Sequence, residues 1–293
     1  MSTSTTTHER PDTEDDVLFE TSDHICLIAL NRPHKRNAIN HETAKKLLQA
    51  FSRFESDNNL HVAVLYGKGG NFCAGYDLSE LADMKDDTEQ RMATIRRFCD
   101  TNRPLGPTKM QFSKPVIAAV SGYAVAGGLE LAAMCDLRCC DETAVFGVLC
   151  RRFGVPLLDG GTIRLPKLIG LSRAMDMILT GRTIDAKTAL EWGLANKVSQ
   201  TGTAVGQAVR VARSIARLPQ ACMRADRRSA YYSTFDARSL DEAFHYELTN
   251  GMPIIERESI AGASKFVDGL GRSGKFDRRL ADSEHDLPIK PKL

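Results

Sequence analysis

Glu130 closely follows a pair of glycines in Ser121-Gly122-Tyr123-Ala124-Val125-Ala126-Gly127-Gly128-Leu129-Glu130-Leu131, between an apolar run over 116–120 and a segment with helical spacing. This placement joins two chemical capacities. A small-residue turn where a strand gives way to a helix lets a ligand approach the backbone, and the first N–H groups of the helix have no intrahelical acceptor. Those donors, aided by the helix dipole, suit an oxygen that gains negative charge. A carboxyl within one helical turn can exchange a proton beside that oxygen. The same glycines also suit a tight turn that only permits close strand–helix packing. A second bend of this kind, Gly67-Lys68-Gly69-Gly70-Asn71-Phe72-Cys73-Ala74-Gly75-Tyr76-Asp77-Leu78, follows a strand-like run over 61–66 and leads into a polar helix start, with Asp77 placed to cap it. Two bends can offer two backbone donors to one oxygen. Rival motifs are missing: no G-x-G-x-x-G follows a strand, no G-K-[ST] loop occurs, and Val120-Ser121-Gly122 lacks the first glycine of a nucleophile elbow.

In these two segments the chain resembles the enoyl-CoA hydratase/isomerase, or crotonase, superfamily. The resemblance extends to Leu30-Asn31-Arg32-Pro33-His34-Lys35-Arg36-Asn37-Ala38, to Lys114-Pro115-Val116-Ile117-Ala118-Ala119-Val120 and to Thr180-Gly181-Arg182-Thr183-Ile184-Asp185-Ala186, and it covers residues 17–270. It implies an α/β fold, the ClpP/crotonase-like spiral of ββα units with a C-terminal helical region. The activity it implies is that of an acyl-CoA thioester enzyme, hydrating a 2-enoyl-CoA to a 3-hydroxyacyl-CoA. An enoyl- or dienoyl-CoA double-bond isomerase and a catalytically silent crotonase-fold CoA-binding protein are the alternatives. No metal or redox cofactor is implied, coenzyme A entering as part of the substrate, and the assembly expected is a homotrimer or homohexamer.

Site residues follow from the resemblance position by position. The backbone N–H groups of Tyr76 and Gly127 would polarise a thioester carbonyl, leaving the Tyr76 side chain to line the acyl pocket or pack. Glu130 matches one of two glutamates that a typical hydratase uses, and burial beside an acyl chain should raise its pKa. The second glutamate is expected in the segment after Phe146-Gly147, where Cys150 takes its place. Cys150 next to Arg151 and Arg152 reads either as a nucleophile or as an inert buried thiol. Asp159, before Gly160-Gly161, resembles an aspartate of isomerase and hydrolase relatives, and it reads equally as a helix N-cap. Lys35 and Arg36 match positions near the phosphates of coenzyme A, while Cys73, Ala74 and Asp77 border its nucleotide end, with backbone groups of Cys73 and Ala74 against the adenine. Lys265 and Phe266 resemble residues that close the site from a helix, sometimes from a neighbouring subunit.

Composition narrows the classes. Lys and Arg number 39 against 37 Asp and Glu, a net charge of +2 that demands no nucleic acid. Eight cysteines lie at irregular spacing without a C-x-x-C pair, which supports neither a zinc site nor a redox dithiol. No apolar run approaches the roughly 18 residues of a membrane span. The polar, acid-containing start is unlike a secretion signal or a mitochondrial presequence. The ending Pro291-Lys292-Leu293 only partly matches a peroxisomal signal, so the cytoplasm is the default location, with peroxisome and mitochondrion left open.

The elements that must position these residues divide into three stretches. Residues 1–16 are polar and read as a disordered tail. Residues 17–200 read as the spiral core with the CoA site, containing strands over 24–30, 61–66, 116–120 and 137–140. A helix capped by Asn40 joins the first two strands, a βαβ unit that favours a parallel sheet. The charged stretch over 79–113 reads as a helix and loop over the site. Residues 201–293 read as a C-terminal helical oligomerisation region. Helices are expected over 172–180, 185–192, 206–218, 240–250 and 256–267, the first two ending at Gly181 and Gly193.

Overall fold

Alternation of side chains along buried strands builds the core from two sides of one sheet. The computed structural model describes residues 15–82 and 103–271, together with Glu89, Ala93 and Arg96. A six-stranded sheet runs in the order β1 (Val17–Ser22), β2 (Ile25–Leu30), β3 (Val62–Gly67), β4 (Val116–Val120), β6 (Leu137–Asp141) and β9 (Lys197–Ser199). β1 lies antiparallel to β2, and the other neighbours are parallel. Val62 and Val64 share one face with Ile25, Ile117 and Ala119, and there Ala204, Ala208 and Ala212 of α7 (Ala204–Ala216) cover them. Alanine at four-residue steps lets that helix lie close to the sheet. Ala63 and Leu65 turn the other way, into the larger cluster with Leu47, Phe51 and Phe54 of α1 (His41–Ser56). Each such fully buried Leu or Phe contributes roughly 1.5–3 kcal/mol of hydrophobic stabilisation.

The spiral of ββα units is present. β4 in the large sheet leads to β5 (Tyr123–Val125), which with β7 (Val145–Gly147) and β8 (Thr183–Asp185) forms a second sheet of order β5-β7-β8, and then to α3 (Gly127–Met134). The next turn runs β6, β7 (Val145–Gly147), a 3-10 turn over Leu149–Phe153 and α4 (Gly161–Ile169). An abbreviated turn precedes both: β3, a bridge from Cys73 to Ala124, and the short α2 (Leu78–Ala82). Each unit therefore delivers a helix start to the same end of the parallel strands, where ligands meet such sheets.

A buried cation fixes the helix that carries Glu130. Arg138 is 2% exposed and donates to the Cys135 carbonyl at 2.6 Å, to that of Ala132 at 3.3 Å and to that of Leu194 at 2.5 Å. These carbonyls include the C-terminal end of α3, where orphan acceptors and the negative end of the helix dipole favour a cation. No carboxylate of the described residues lies within ion-pair distance of Arg138, so carbonyl oxygens compensate its burial.

Several expectations need correction. Within the stretch read as a C-terminal helical region, α7 covers a face of the sheet. Strand β1, the three-residue strands β5, β7, β8 (Thr183–Asp185) and β9, and helix α8 (Gln220–Phe235) were not anticipated. Arg227 of α8 pairs with Asp136 at 2.8 Å, and the Tyr231 hydroxyl donates to the same oxygen at 2.9 Å, docking the C-terminal part on the core. Then come α9 (Leu240–Ile254), a π-turn over Ile255–Ser259 and α10 (Ile260–Val267). Pro253 inside α9 lacks a backbone donor, and the widened turn begins two residues beyond it. α5 (Leu171–Thr180) and α6 (Ala186–Glu191) end near their expected stops, with Gly181 left-handed after α5 and Asp185 capping α6. Residues 1–14 of the tail, and 83–88, 90–92, 94, 95 and 97–102 of the charged stretch, lie outside the described residues. Among the described residues no helix is long and apolar enough to cross a membrane, and no group of three metal-ligating side chains gathers.

Candidate active site

The two glycine bends run side by side. Phe72 N–H donates to the Ser121 carbonyl and Cys73 N–H to that of Tyr123, both at 2.8 Å, while Val125 N–H donates back to Cys73 at 3.1 Å. Missing side chains make this approach possible. A Cβ on Gly128 would lie 2.0 Å from the Cys73 carbonyl oxygen, and one on Gly75, whose φ is +97°, would lie 2.9 Å from the Gly127 nitrogen. Tyr76 sits in a short parallel bridge with Ile39, in which Ile39 N–H donates to Gly75 and Asp77 N–H donates to Ile39. Alternation of a strand then turns the Tyr76 N–H away from Ile39. Gly127 is the first residue of α3, and its N–H donates to no acceptor among the described residues. Ala126 before it has φ 53° and ψ −125°, a conformation costly for a residue with a side chain. That strain, on the order of 1–3 kcal/mol, is held at the turn immediately before Gly127.

One helical turn later, Glu130 is 2% exposed. Its Oε1 accepts from Asp159 N–H at 2.9 Å and from Gly161 N–H at 2.8 Å, so the start of α4 holds one carboxylate oxygen. Oε2 has no hydrogen-bond partner among the described residues. Burial, and secondarily the Asp159 charge, push the Glu130 pKa up to about 7, and the two N–H bonds oppose that rise. The carboxyl can thus both give and take a proton near neutrality.

Asp159 does not cap α4. Gly160 occupies the cap position, and Asp159 Oδ1 instead accepts from Leu105 N–H at 3.1 Å and from the Thr108 hydroxyl at 2.5 Å. Burial raises its pKa as well. Leu105 and Thr108 were not foreseen as site residues. Their segment touches the Gly127 turn as well as Asp159, since a Cβ on Gly127 would meet Leu105 Cδ1 at 2.7 Å. A Gly-Pro turn at 106–107 is the only local signal there, and it says nothing of a contact more than fifty residues away.

Comparison with known proteins places this geometry. The sequence profile of the enoyl-CoA hydratase/isomerase family matches residues 20–270. The chain belongs to that family. It is 34% identical over 227 residues to a mevalonyl-coenzyme A hydratase of Aspergillus fumigatus, covering 78% of this chain and 81% of that protein. Over 217 residues it is 36% identical to the (E)-benzylidenesuccinyl-CoA hydratase of Thauera aromatica, with 73% and 81% covered. The crystal structure of an enoyl-CoA hydratase from Mycobacterium tuberculosis superposes with a TM-score of 0.77 at 34% identity, covering 87% of this chain and 96% of that one. The fold is therefore the crotonase fold, and the protein is an acyl-CoA enzyme of the hydratase/isomerase family.

Cys150, which stands where the resemblance leads one to expect a second glutamate, is buried. The thiol is 8% exposed, and burial first, then the charge of Glu130, push its pKa up. It is protonated at neutral pH, which favours the inert reading over the nucleophile. Lys35 and Arg36 are exposed, with the Lys35 ammonium 3.9 Å from Asp77 Oδ1 and the Arg36 guanidinium 5.5 Å from the centre of the Tyr123 ring. The Cys73 N–H and carbonyl are each already paired, with Tyr123 and Val125 of the bend that leads to Glu130. Ala74 N–H donates to the Arg36 carbonyl at 3.0 Å, which leaves only its carbonyl for a ligand. Asp77 is buried against Arg32 at 3.1 Å and accepts from Ser79 at 2.6 Å, so it organises the loop and caps α2. The Tyr76 hydroxyl donates to Glu80 at 2.6 Å, in keeping with a packing role for that ring. Lys265 and Phe266 are exposed on α10.

The Glu130 environment has a consequence for stability. Its pKa is raised from 4.5 to about 7, so the native state binds this proton more tightly than the unfolded chain. The stabilisation is complete below about pH 4.5 and is lost as pH rises through about 7, amounting to about 3 kcal/mol. Glu130→Gln keeps an acceptor for both N–H groups and removes the titration. Urea denaturation should find the variant gaining on wild type between pH 5 and pH 8, and an equal difference at both values would contradict the burial effect.

Proposed function

We propose that this enzyme adds water across the double bond of a 2-enoyl-CoA to form a 3-hydroxyacyl-CoA. The observation that carries the reading is the buried carboxyl of Glu130, held by two N–H groups through one oxygen, on the helix whose first N–H belongs to Gly127. The N–H groups of Tyr76 and Gly127 receive the thioester oxygen and stabilise the enolate-like charge as it develops. Glu130 takes a proton from water as the water oxygen bonds to C3. C2 then receives a proton from the same carboxyl or from Asp159. Lys35 and Arg36 attract the phosphates of coenzyme A, which is part of the substrate and not a separate cofactor.

Cys150 favours a second reading, double-bond isomerisation, because a neutral thiol where a second acid is expected leaves one carboxyl to move a proton between C2 and C4. Turnover of 2-enoyl-CoA esters in ¹⁸O-labelled water separates the two. Label in a 3-hydroxyacyl product supports hydration, and a shifted double bond without label rejects it in favour of isomerisation.

The same reading includes a homotrimer or homohexamer. Leu240, Phe244, Leu248 and Met252 recur at four-residue steps along α9 and are each more than half exposed. Leu171 and Leu179 expose a second apolar stripe on α5. Two different patches on one chain suit a head-to-tail ring. Light scattering at micromolar concentration should find three or six subunits, and a monomer alone would contradict it.

A further inference from the structure

We infer that Arg164 is a positioning residue for the acid/base carboxyl, its guanidinium fixing the orientation of the Asp159–Gly161 turn that holds Glu130. The inference rests on the reading of Glu130 as the acid/base group. Arg164 lies in the first turn of α4 and folds back over the start of the helix. Its Nη1 donates to the Asp159 carbonyl at 3.0 Å, and its Nη2 donates to the Thr108 carbonyl at 2.7 Å. Peptide groups along this turn alternate in direction. The N–H groups of Asp159 and Gly161 point to Glu130 Oε1, while the carbonyl between them points to Arg164. A rotation of that central peptide would therefore misdirect the donors on both sides of it.

The two glycines are explained by the same arrangement. A Cβ on Gly160, whose φ is +95°, would lie 2.3 Å from Arg164 Nη1, and one on Gly161 would lie 2.9 Å from Glu130 Cγ. Gly160 thus makes room for the guanidinium and Gly161 for the carboxyl. Thr108 closes the loop, since its hydroxyl donates to Asp159 while its carbonyl accepts from Arg164. A planar fork reaches two carbonyls from separate segments at once, which a lysine ammonium on a single stem does less well. Arg164 forms no ion pair among the described residues. Asp159 and Cys150 are the other titratable groups facing Glu130, with Tyr231 and Cys135 on the far side of Arg164. The positive charge of Arg164 lowers the proton affinity of Glu130, in addition to holding its cradle.

The test compares kcat, KM and the pH–rate profile of wild type, Arg164→Met and Arg164→Lys, each also in a Glu130→Gln background. Arg164→Met should lower kcat by roughly 10²-fold, the scale of a small misplacement of a reacting group, with KM changed little. The activity limb near neutrality should move to higher pH, with Arg164→Lys intermediate. In the Glu130→Gln background, removal of Arg164 should have little further effect on the residual rate. A merely structural role would lower thermal stability while leaving the pH limb and kcat in place, and that result overturns the inference. An equal loss in both backgrounds does so too. Should Arg164→Met fail to fold, Arg164→Lys carries the same comparison. Wild-type turnover by Glu130→Gln would refute the functional reading instead, whatever Arg164 does.

Discussion

Replacing Glu130 by glutamine lowers kcat by roughly 10²–10⁴-fold, the range for a general acid/base group, and leaves acyl-CoA affinity within a few-fold. The expectation follows from what glutamine keeps. Its amide oxygen still accepts from Asp159 and Gly161, so the start of α4 stays where it is and the acyl pocket keeps its shape. Only proton transfer is lost. Steady-state kinetics and calorimetry with a tight-binding acyl-CoA ester measure the two quantities separately. A parallel loss of affinity and rate would mean that the carboxylate organises the pocket. Asp159→Asn is the companion variant. Asparagine keeps one acceptor for Leu105 and Thr108, so a loss in kcat approaching that of Glu130→Gln would assign Asp159 a share of the proton transfer, and a loss confined to stability would limit it to holding the 105–108 segment.

Gly127→Pro should lower kcat by roughly 10²-fold or more, because it removes one of the two donors offered to the thioester oxygen. Proline is well tolerated at the first position of a helix, so α3 should persist. The added ring does press on Leu105, whose Cδ1 would lie 2.7 Å from a Cβ at this position. Gly127→Ala makes the same contact and retains the N–H. Kinetics of the pair therefore separate crowding from the lost donor, and equal losses would remove Gly127 from the chemistry. Tyr76→Phe removes the hydroxyl bond to Glu80 and should cost little, since the proposed donor is the peptide N–H.

Local signals in the sequence reached the helix starts and stopped at contacts between distant segments. The run over 116–120 is β4 itself, and Asn40 caps α1 by accepting from Thr43 N–H at 2.9 Å, because apolar runs and capping residues act within a few positions. Glu130 was legible for the same reason: the glycines that open its helix and the carboxyl one turn later are a local pattern. The role of Asp159 was not, since Leu105 and Thr108 lie far along the chain and compete with the N-cap position that its sequence neighbours suggested. The partners of Cys73, Tyr123 and Val125 of the other bend, likewise lie far along the chain. Strands of three residues such as β5 and β8 are too short for a period of two to register. Helix α8, with Arg224, Arg227 and Arg228 close together, carries too weak an apolar stripe to stand out before its docking partner Asp136 is known.

The central claim is that Glu130 moves a proton at the carbon next to a thioester carbonyl held by Tyr76 and Gly127. Proton NMR of an acyl-CoA incubated with the enzyme in deuterium oxide follows that event at the atom concerned. The account predicts that wild type places deuterium at C2 as the reaction proceeds, and that Glu130→Gln, with the ester still bound, does so no faster than the solution without enzyme. Exchange at C2 by Glu130→Gln at the wild-type rate would contradict it.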